Sequence, residues 1–341
     1  ELNNINAPFE EWHLGKRNVD HLDKPPKGVF YNRMSASSHT RDHRYAPEYT
    51  AVVLNWLEKN KRRVINNSRA LSLEISKSLQ YKELETFGIR TPKTIYCHSK
   101  ESIIKSGNFF KKPFITKHNR AGKGLGVKLF NNKKELDSYV SSKDFEPSID
   151  GITLLQEYID AKPKVITRVE FVNSKFIYAV EVDASDGFEL CPACPDEPVD
   201  VPETQFFGEF CPTIGNKFRI QKDFKEDEII KKYEKFINAN GIEIAGIEFV
   251  KDKNGIAYTY DVNTNTNYNS QAESVSKIVA ATPGLLAIPA PTTETRPTVS
   301  SVLTPSAPIC SAVAVVISVP IANCSVGKVN EMSVTPSSDV F

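Results

Sequence analysis

The order of strand and helix signals in this chain predicts a mixed α and β fold. Three observations carry that reading. A strand–helix–strand–helix order runs through residues 28–87, which builds a small α/β layer. Two later strand pairs turn tightly, residues 164–172 with 175–182 around Asn173-Ser174, and residues 246–265 around Asn254-Gly255. Between them, residues 226–240 place Ile229, Ile230, Tyr233, Phe236 and Ile237 on one helical face.

In chain order, residues 1–27 are polar and rich in Asn, Lys and Pro, and we expect a poorly ordered extension. Residues 28–32 form a short strand, and 33–44 are packed with Arg, Ser and His. A helix over 49–59 puts Val52, Val53, Trp56 and Leu57 on one face. After a strand at 64–65, Ser68 is the expected N-cap of a helix running to Phe87, broken near Ser76 and stopped by Gly88. Residues 113–117 and 127–130 are strands flanking a glycine-rich loop, 133–140 a short helix, and 153–159 an apolar strand ending in a polar hinge. Residues 191–214 are irregular and Pro-rich. Residues 278–341 are nearly free of charge, and we expect a disordered tail. Its apolar stretch at 309–320 is too short and Pro-bounded to span a membrane.

The chain has 341 residues, 25% charged and 40% hydrophobic, enough for more than one domain with its own core. A net charge of +1 argues against a broad basic surface for nucleic acid. The six cysteines lack framework spacing, which fits a reducing cytoplasm. Cys191 and Cys194 have metal spacing, but no second pair follows to complete a zinc site. His39 and His43 stand in a Ser-rich loop and read as solvent-facing polar residues.

The stretch from Gly246 to Asn265 is the chemical centre. Asn-Gly between strand-like runs signals a two-residue hairpin. That register puts Glu248 opposite Asp261 and Val250 opposite Thr259. One face would carry Gly246, Glu248, Asp261 and Asn263. The other would carry Ile247, Phe249, Tyr258, Tyr260 and Val262 as a core stripe. Carboxylates opposed at about 5 Å repel by roughly 3 kcal/mol at an effective dielectric near 20. The hairpin tolerates this if one acid is protonated, if both are hydrated, or if a cation lies between them. Hard oxygen donors of this kind suit Mg²⁺; the plain alternative is a solvated acidic face.

Residues 116–126 hold Lys117 and then Gly122, Gly124 and Gly126 at alternate positions. Such spacing lets backbone N–H groups approach phosphate oxygens, with the lysine as a point charge, or makes a flexible hairpin tip. It is no P-loop, because Gly-Lys-Ser/Thr is missing, and no dinucleotide fingerprint, because a strand follows. No protein-kinase motif set occurs. Lys77 opens a helical segment and alone reads as a solvated lysine. Gln156, Glu157, Tyr158 and Ile159 end a strand whose backbone could meet an adenine edge. Arg168 lies among Val165, Ile166, Val169 and Phe171 and needs an anionic partner, substrate or salt bridge.

In this order the pieces resemble the ATP-grasp superfamily, and its RimK-like branch of glutamate ligases most closely, over residues 28–277. The resemblance implies an α+β ATP-grasp fold of two lobes over 76–277, preceded by a partial pre-ATP-grasp α/β domain over 28–75. That family opens with a further strand–helix pair ahead of Gly28, so we expect the N-terminus to be a fragment. By resemblance, Lys77 and Lys117 hold ATP phosphates, and Gly122 to Gly126 form the lid. Glu157 to Ile159 meet the adenine, and Glu248, Asp261 and Asn263 hold two Mg²⁺ ions, which Mn²⁺ can replace. Arg168 would steady an acyl phosphate in a carboxylate–amine ligase. The partners would be a carboxylate and an amine, an amino acid or peptide. The other readings are a nucleotide-binding module without turnover and a phosphotransferase. Arg33, His39, Arg41 and Arg44 follow the first strand, where open α/β sheets bind ligands, and are candidates for the carboxylate substrate.

Overall fold

The computed structural model describes residues 8–122, 124–184, 218–221, 224, 227–266 and 314–318. Three sheets organise them. The first is parallel, in the order β1 (Phe9–His13), β13 (Ala314–Ser318), β2 (Val29–Asn32), β3 (Arg63–Ile65). Helix α1 (Ala46–Lys59) covers it, with Pro47 in its first turn, where a missing N–H costs nothing. Trp12, Leu14, Phe30, Met34, Val53, Leu54 and Leu57 form its core. Val52 is 60% exposed, so the buried face of α1 is Thr50, Val53, Leu54 and Leu57, one position round from the expected stripe.

Two expectations change here. Residues 9–13, inside the supposed unordered extension, are a strand. Of the supposed disordered tail only 314–318 are described, and they form a strand seated between β1 and β2.

Helix α2 (Ser68–Glu74) leads into α3 (Lys77–Thr86). The break falls at Ser76, as expected, and Ser76 caps α3 by accepting from the Leu79 N–H. The N-cap of α2 is Asn67 rather than Ser68; its side chain accepts from the Ala70 N–H, while Ser68 bonds to Glu58. Gly88 takes a φ of 67° just past α3 and ends it.

The second sheet runs β4 (Thr94–Cys97), β7 (Thr153–Glu157), β5 (Phe114–His118), β6 (Lys128–Phe130), all antiparallel. Helices α4 (Lys100–Ser106) and α5 (Lys133–Ser141) back it around Phe114, Phe130, Leu136 and Leu155. The third runs β10 (Phe218–Gln221), β9 (Lys175–Asp183), β8 (Ala161–Val172), β11 (Ile244–Asp252), β12 (Ala257–Asn263). Asn173 and Ser174 both take positive φ, the geometry of a two-residue hairpin turn between β8 and β9. Helices α3 and α6 (Asp227–Ala239) pack on one face. Tyr81, Phe171, Tyr233, Phe236, Ile247 and Phe249 are sealed between them, each contributing about 1.5–3 kcal/mol.

Asn66, just after β3 of the first sheet, joins it to the third sheet. It is fully buried in a left-handed conformation, φ 55°. Its amide donates to the Ile244 and Thr264 carbonyls and accepts from the Glu243 and Ile244 N–H groups. Arg63 adds an ion pair to Glu243. Asn66→Ala strands these buried groups and should lower stability by about 2–4 kcal/mol, read as a shifted midpoint in urea.

Candidate functional site

The hairpin β11–β12 sets the site. Its loop is longer than expected. The Gly255 N–H donates to the Asp252 carbonyl at 2.9 Å, and the Asp252 and Ile256 backbones pair, so three residues turn. The Asp252 carboxylate accepts from the Asn254 and Ile256 N–H groups and fixes the turn. One residue is therefore displaced near the tip: Phe249, not Val250, faces Thr259. A bulge between Glu248 and Phe249 takes up the extra residue, and Glu248 again lies directly opposite Asp261. The bulge also moves Tyr260 out of the supposed core stripe. Thr259 is sealed in its place, bonded to the Tyr233 hydroxyl at 2.6 Å. The Tyr260 hydroxyl donates to Glu248 at 3.0 Å.

Strand β8 brings the cation. Arg168 pairs with Glu248 across the ladder, and Glu170 with Gly246. The guanidinium reaches Glu248 at 2.9 Å and Glu170 at 2.6 Å, and donates to the Thr266 hydroxyl. A Cβ on Gly246 would fall 2.6 Å from the Arg168 Nη2, so only glycine leaves room for that head group. Burial alone would lower the Arg168 pKa; Glu170 and Glu248 more than offset it and hold the group protonated. Burial pushes the Glu170 carboxyl up against the downward pull of Arg168.

The two lysines arrive from other elements. Lys77, first in α3, donates to Asp261 at 2.8 Å and to the Ala121 carbonyl at 3.0 Å. Lys117, in β5, donates to the Tyr260 carbonyl at 3.1 Å and the Tyr81 hydroxyl at 3.2 Å. Its ammonium lies 4.9 Å from the Tyr260 ring centre, a cation–π contact. Burial lowers the Lys117 pKa, against the pull of Asp261 and Glu248. At Asp261 burial acts upward, but Lys77, Lys117 and Arg168 prevail and hold the carboxyl below its usual range.

The loop and hinge complete the frame. Gly124 and Gly126 take φ of 74° and 72°, and a Cβ on Gly126 would overlap the His118 ring. Gly122 lies beside Ser37, in the segment after β2. At the hinge, the Gln156 side chain is buried and donates to Thr94 at 2.9 Å. The Glu157 and Tyr158 N–H groups donate to the Lys93 and Pro113 carbonyls, so neither is open to an adenine edge in this arrangement. The Glu157 carboxylate accepts from the Lys93 N–H at 2.7 Å. Asn263 sits opposite Gly246, next in line from Asp261 on the same strand.

The structure thus brings Lys77, Lys117, Arg168, Glu248 and Asp261 together. Sequence reasoning missed Tyr81, Tyr260 and Glu170, which hold them, and Glu74. Buried Glu74 accepts from the Thr264 N–H at 2.6 Å and the Ala36 N–H at 3.3 Å, tying the hairpin exit to the segment after β2. The carboxylates of Glu248 and Asp261 with the Asn263 amide are the hard oxygen donors that suit Mg²⁺. Among the described residues no three His, Cys, Asp or Glu side chains gather as a metal cluster, so phosphate oxygens and water would have to complete the shell. Cys191, Cys194 and Cys211, with the whole irregular segment 191–214, lie outside the described residues.

A family model described as the RimK-like ATP-grasp domain matches residues 74–189, which span Lys77, Lys117, the glycine loop, the hinge and Arg168. The fold is an ATP-grasp fold, and residues 74–189 are similar to the RimK-like ATP-grasp domain. The RimK-domain ATP-grasp protein of Sphaerobacter thermophilus is 13% identical, covering 80% of this chain and 87% of its own, with a TM-score of 0.54. The ATP-grasp ligase PsnB, solved with a minimal precursor, is 16% identical over 76% of this chain and 78% of its own, with a TM-score of 0.49. An L-amino acid ligase of Bacillus licheniformis is 17% identical over 68% and 49%, with a TM-score of 0.45. No curated protein matches the sequence. Among the described residues no helix is long and apolar enough to cross a membrane.

Arg168→Met leaves Glu170 and Glu248 without their shared cation. The loss should be about 3–5 kcal/mol near neutral pH. Glu170 already has a raised folded pKa, and the substitution raises it further. The folded protein then holds a proton that the unfolded chain has released, so stability returns as pH falls towards the ordinary glutamate range. Urea midpoints at neutral and mildly acidic pH check both parts.

Proposed function

We propose that this chain is an ATP- and Mg²⁺-dependent carboxylate–amine ligase acting in a reducing cytoplasm. The observation that carries the reading is the meeting of two lysines with the opposed acids. Lys77 bonds Asp261 at 2.8 Å, and Lys117 bonds the carbonyl of the neighbouring Tyr260 at 3.1 Å. Both ammonium groups lie where a triphosphate facing the hairpin would exchange its oxygens for these protein acceptors. Lys77 and Lys117 would hold the phosphates, with Gly122, Gly124 and Gly126 closing over them. The backbone of the hinge, from Glu157 to Ile159, would meet the adenine once the Glu157 and Tyr158 N–H groups exchange their present carbonyls for it.

Glu248, Asp261 and Asn263 would hold two Mg²⁺ ions, or Mn²⁺ in their place, which supply charge neutralisation to the phosphates. The substrate carboxylate attacks the γ-phosphorus, the bond to the β-phosphate oxygen breaks, and ADP leaves. An amine then attacks the acyl carbon, loses a proton and displaces phosphate, giving the amide. Such a transfer needs alignment and charge more than covalent groups from the protein. Arg168 is already protonated and fixed by two carboxylates. It would steady the negative charge that builds on the acyl phosphate and its tetrahedral successor.

Phosphate release with ATP and pooled carboxylates and amino acids should require Mg²⁺, a carboxylate and an amine together. Nucleotide binding with no release under any combination would overturn the ligase reading in favour of a non-catalytic module. Formation of ADP and a phosphorylated acid without free phosphate, whatever amine is added, would make it a phosphotransferase. Asp261→Asn and Glu248→Gln should each cut turnover by roughly 10²–10³-fold, the usual loss when one charge-stabilising group is removed.

Lys117 supplies a pH test. Its lowered pKa means that the ammonium is lost as pH rises through a range below the usual lysine value. Nucleotide affinity should therefore fall with rising pH earlier than an exposed lysine would dictate, and Lys117→Met should flatten that slope. Titration calorimetry across the alkaline range measures it.

A further inference from the structure

A second group of cations lies across the glycine loop from the phosphate lysines. The segment after β2 runs from the hairpin exit to that loop. Arg33 donates to the Thr266 carbonyl at 3.3 Å at one end, and Ser37 lies 3.5 Å from where a Gly122 Cβ would stand at the other. Arg41 donates to the Ser37 hydroxyl at 3.3 Å. His39 is held by the Ala36 carbonyl at 3.2 Å, and Arg120, His118 and Arg44 are near enough to oppose its protonation. Arg120 reaches in from just after β5 and is only 8% exposed. Glu48, half in solvent, lies 2.8 Å from Arg120.

The Nε–H of Arg120 and the hydroxyl of Ser38, which is 1% exposed, are buried with no hydrogen-bond partner among the described residues. Leaving such groups unmet is costly, and a donor on a protonated guanidinium asks for an anion. The phosphate lysines do not belong to this group, since Lys77 and Lys117 are committed to Asp261, Ala121, Tyr81 and Tyr260.

We infer that Arg120 and Ser38, with the 33–44 segment, form a subsite for a second carboxylate of the acceptor substrate. This rests on the ligase reading and narrows it. The acceptor presents one carboxylate to the phosphates and another, some way along its chain, to Arg120. A free dicarboxylic acid and an acidic side chain of a peptide are the two sources of that group.

Binding is measured without turnover, so its outcome is separate from that of the ligase assay. Titration calorimetry on the full chain compares glutarate, butyrate, an acetylated peptide ending in glutamate with its α-carboxylate free, and inorganic phosphate. Glutarate or the glutamate peptide should bind at least about tenfold more tightly than butyrate, the worth of one charge-assisted hydrogen bond. Whichever does so identifies the source. Arg120→Gln should abolish the preference, and Ser38→Ala should weaken it. Glu48→Gln removes the competing acid and keeps the Arg120 charge, so it should leave affinity equal or tighter. That variant also separates the subsite from a folding defect in Arg120→Gln. Equal affinities for the mono- and dicarboxylates, inorganic phosphate bound in preference to both acidic probes, or a preference that survives Arg120→Gln would overturn the inference. Should phosphate release fail with every acid while this pattern holds, the ligase reading falls and the subsite stands.

Discussion

Strand pairing forces two carboxylates side by side, and the rest of this site answers that fact. Glu248 and Asp261 are direct neighbours across the β11–β12 ladder, and the ladder leaves them no way apart. Their repulsion is offset by three cations, each from a different element: Lys77 from the start of α3, Lys117 from β5 and Arg168 from β8. At an effective dielectric near 20, a charge pair about 4 Å apart is worth roughly 4 kcal/mol, enough to exceed the repulsion it meets. The same charges are exchangeable. On the proposed reading, a triphosphate with its metal ions would offer the lysines new oxygens and the acids new cations, so binding would swap partners without leaving a buried charge alone.

The three elements can converge because each is anchored away from its charged tip. Gln80 of α3 bonds both the N–H and the carbonyl of Val262, gripping the strand beside Asp261. Tyr81 donates to the Tyr260 carbonyl at 2.9 Å and accepts from Lys117. Glu74 and Asn66 carry the connection to the first sheet, through Ala36 on one side and Ile244 and Thr264 on the other. The cationic segment 33–44 is thereby tied to the hairpin exit.

Much of this was legible in the residues. The ordered motifs singled out the two lysines, the arginine and the acid pair that the structure brings together. The opposition of Glu248 and Asp261 was also read correctly, but through two errors that cancel. The loop has one residue more than Asn-Gly implies, because the Asp252 side chain supports a longer turn, and a bulge then removes the offset. A bulge has no sequence signature in a run such as Tyr258-Thr-Tyr-Asp261, and so Tyr260 was placed in the core instead of on Glu248. Glu170 and Glu74 were equally hidden. Their importance lies in what they touch, Arg168 and the backbone of Thr264, and those contacts join residues far apart in the chain. The strand at 314–318 was missed because an uncharged, Pro- and Ser-rich setting reads as unstructured, while its place between β1 and β2 is set by pairing alone.

The most direct test is a crystal of the chain with Mn²⁺ and a non-hydrolysable ATP analogue, located by the anomalous signal of the metal. The account predicts a metal ion within about 2.0–2.6 Å of a carboxylate oxygen from both Glu248 and Asp261, distances typical of hard cations with oxygen ligands. Lys77 should have left Asp261 for a phosphate oxygen. Metal bound away from either acid, or nucleotide bound with the Lys77–Asp261 pair intact, would contradict it.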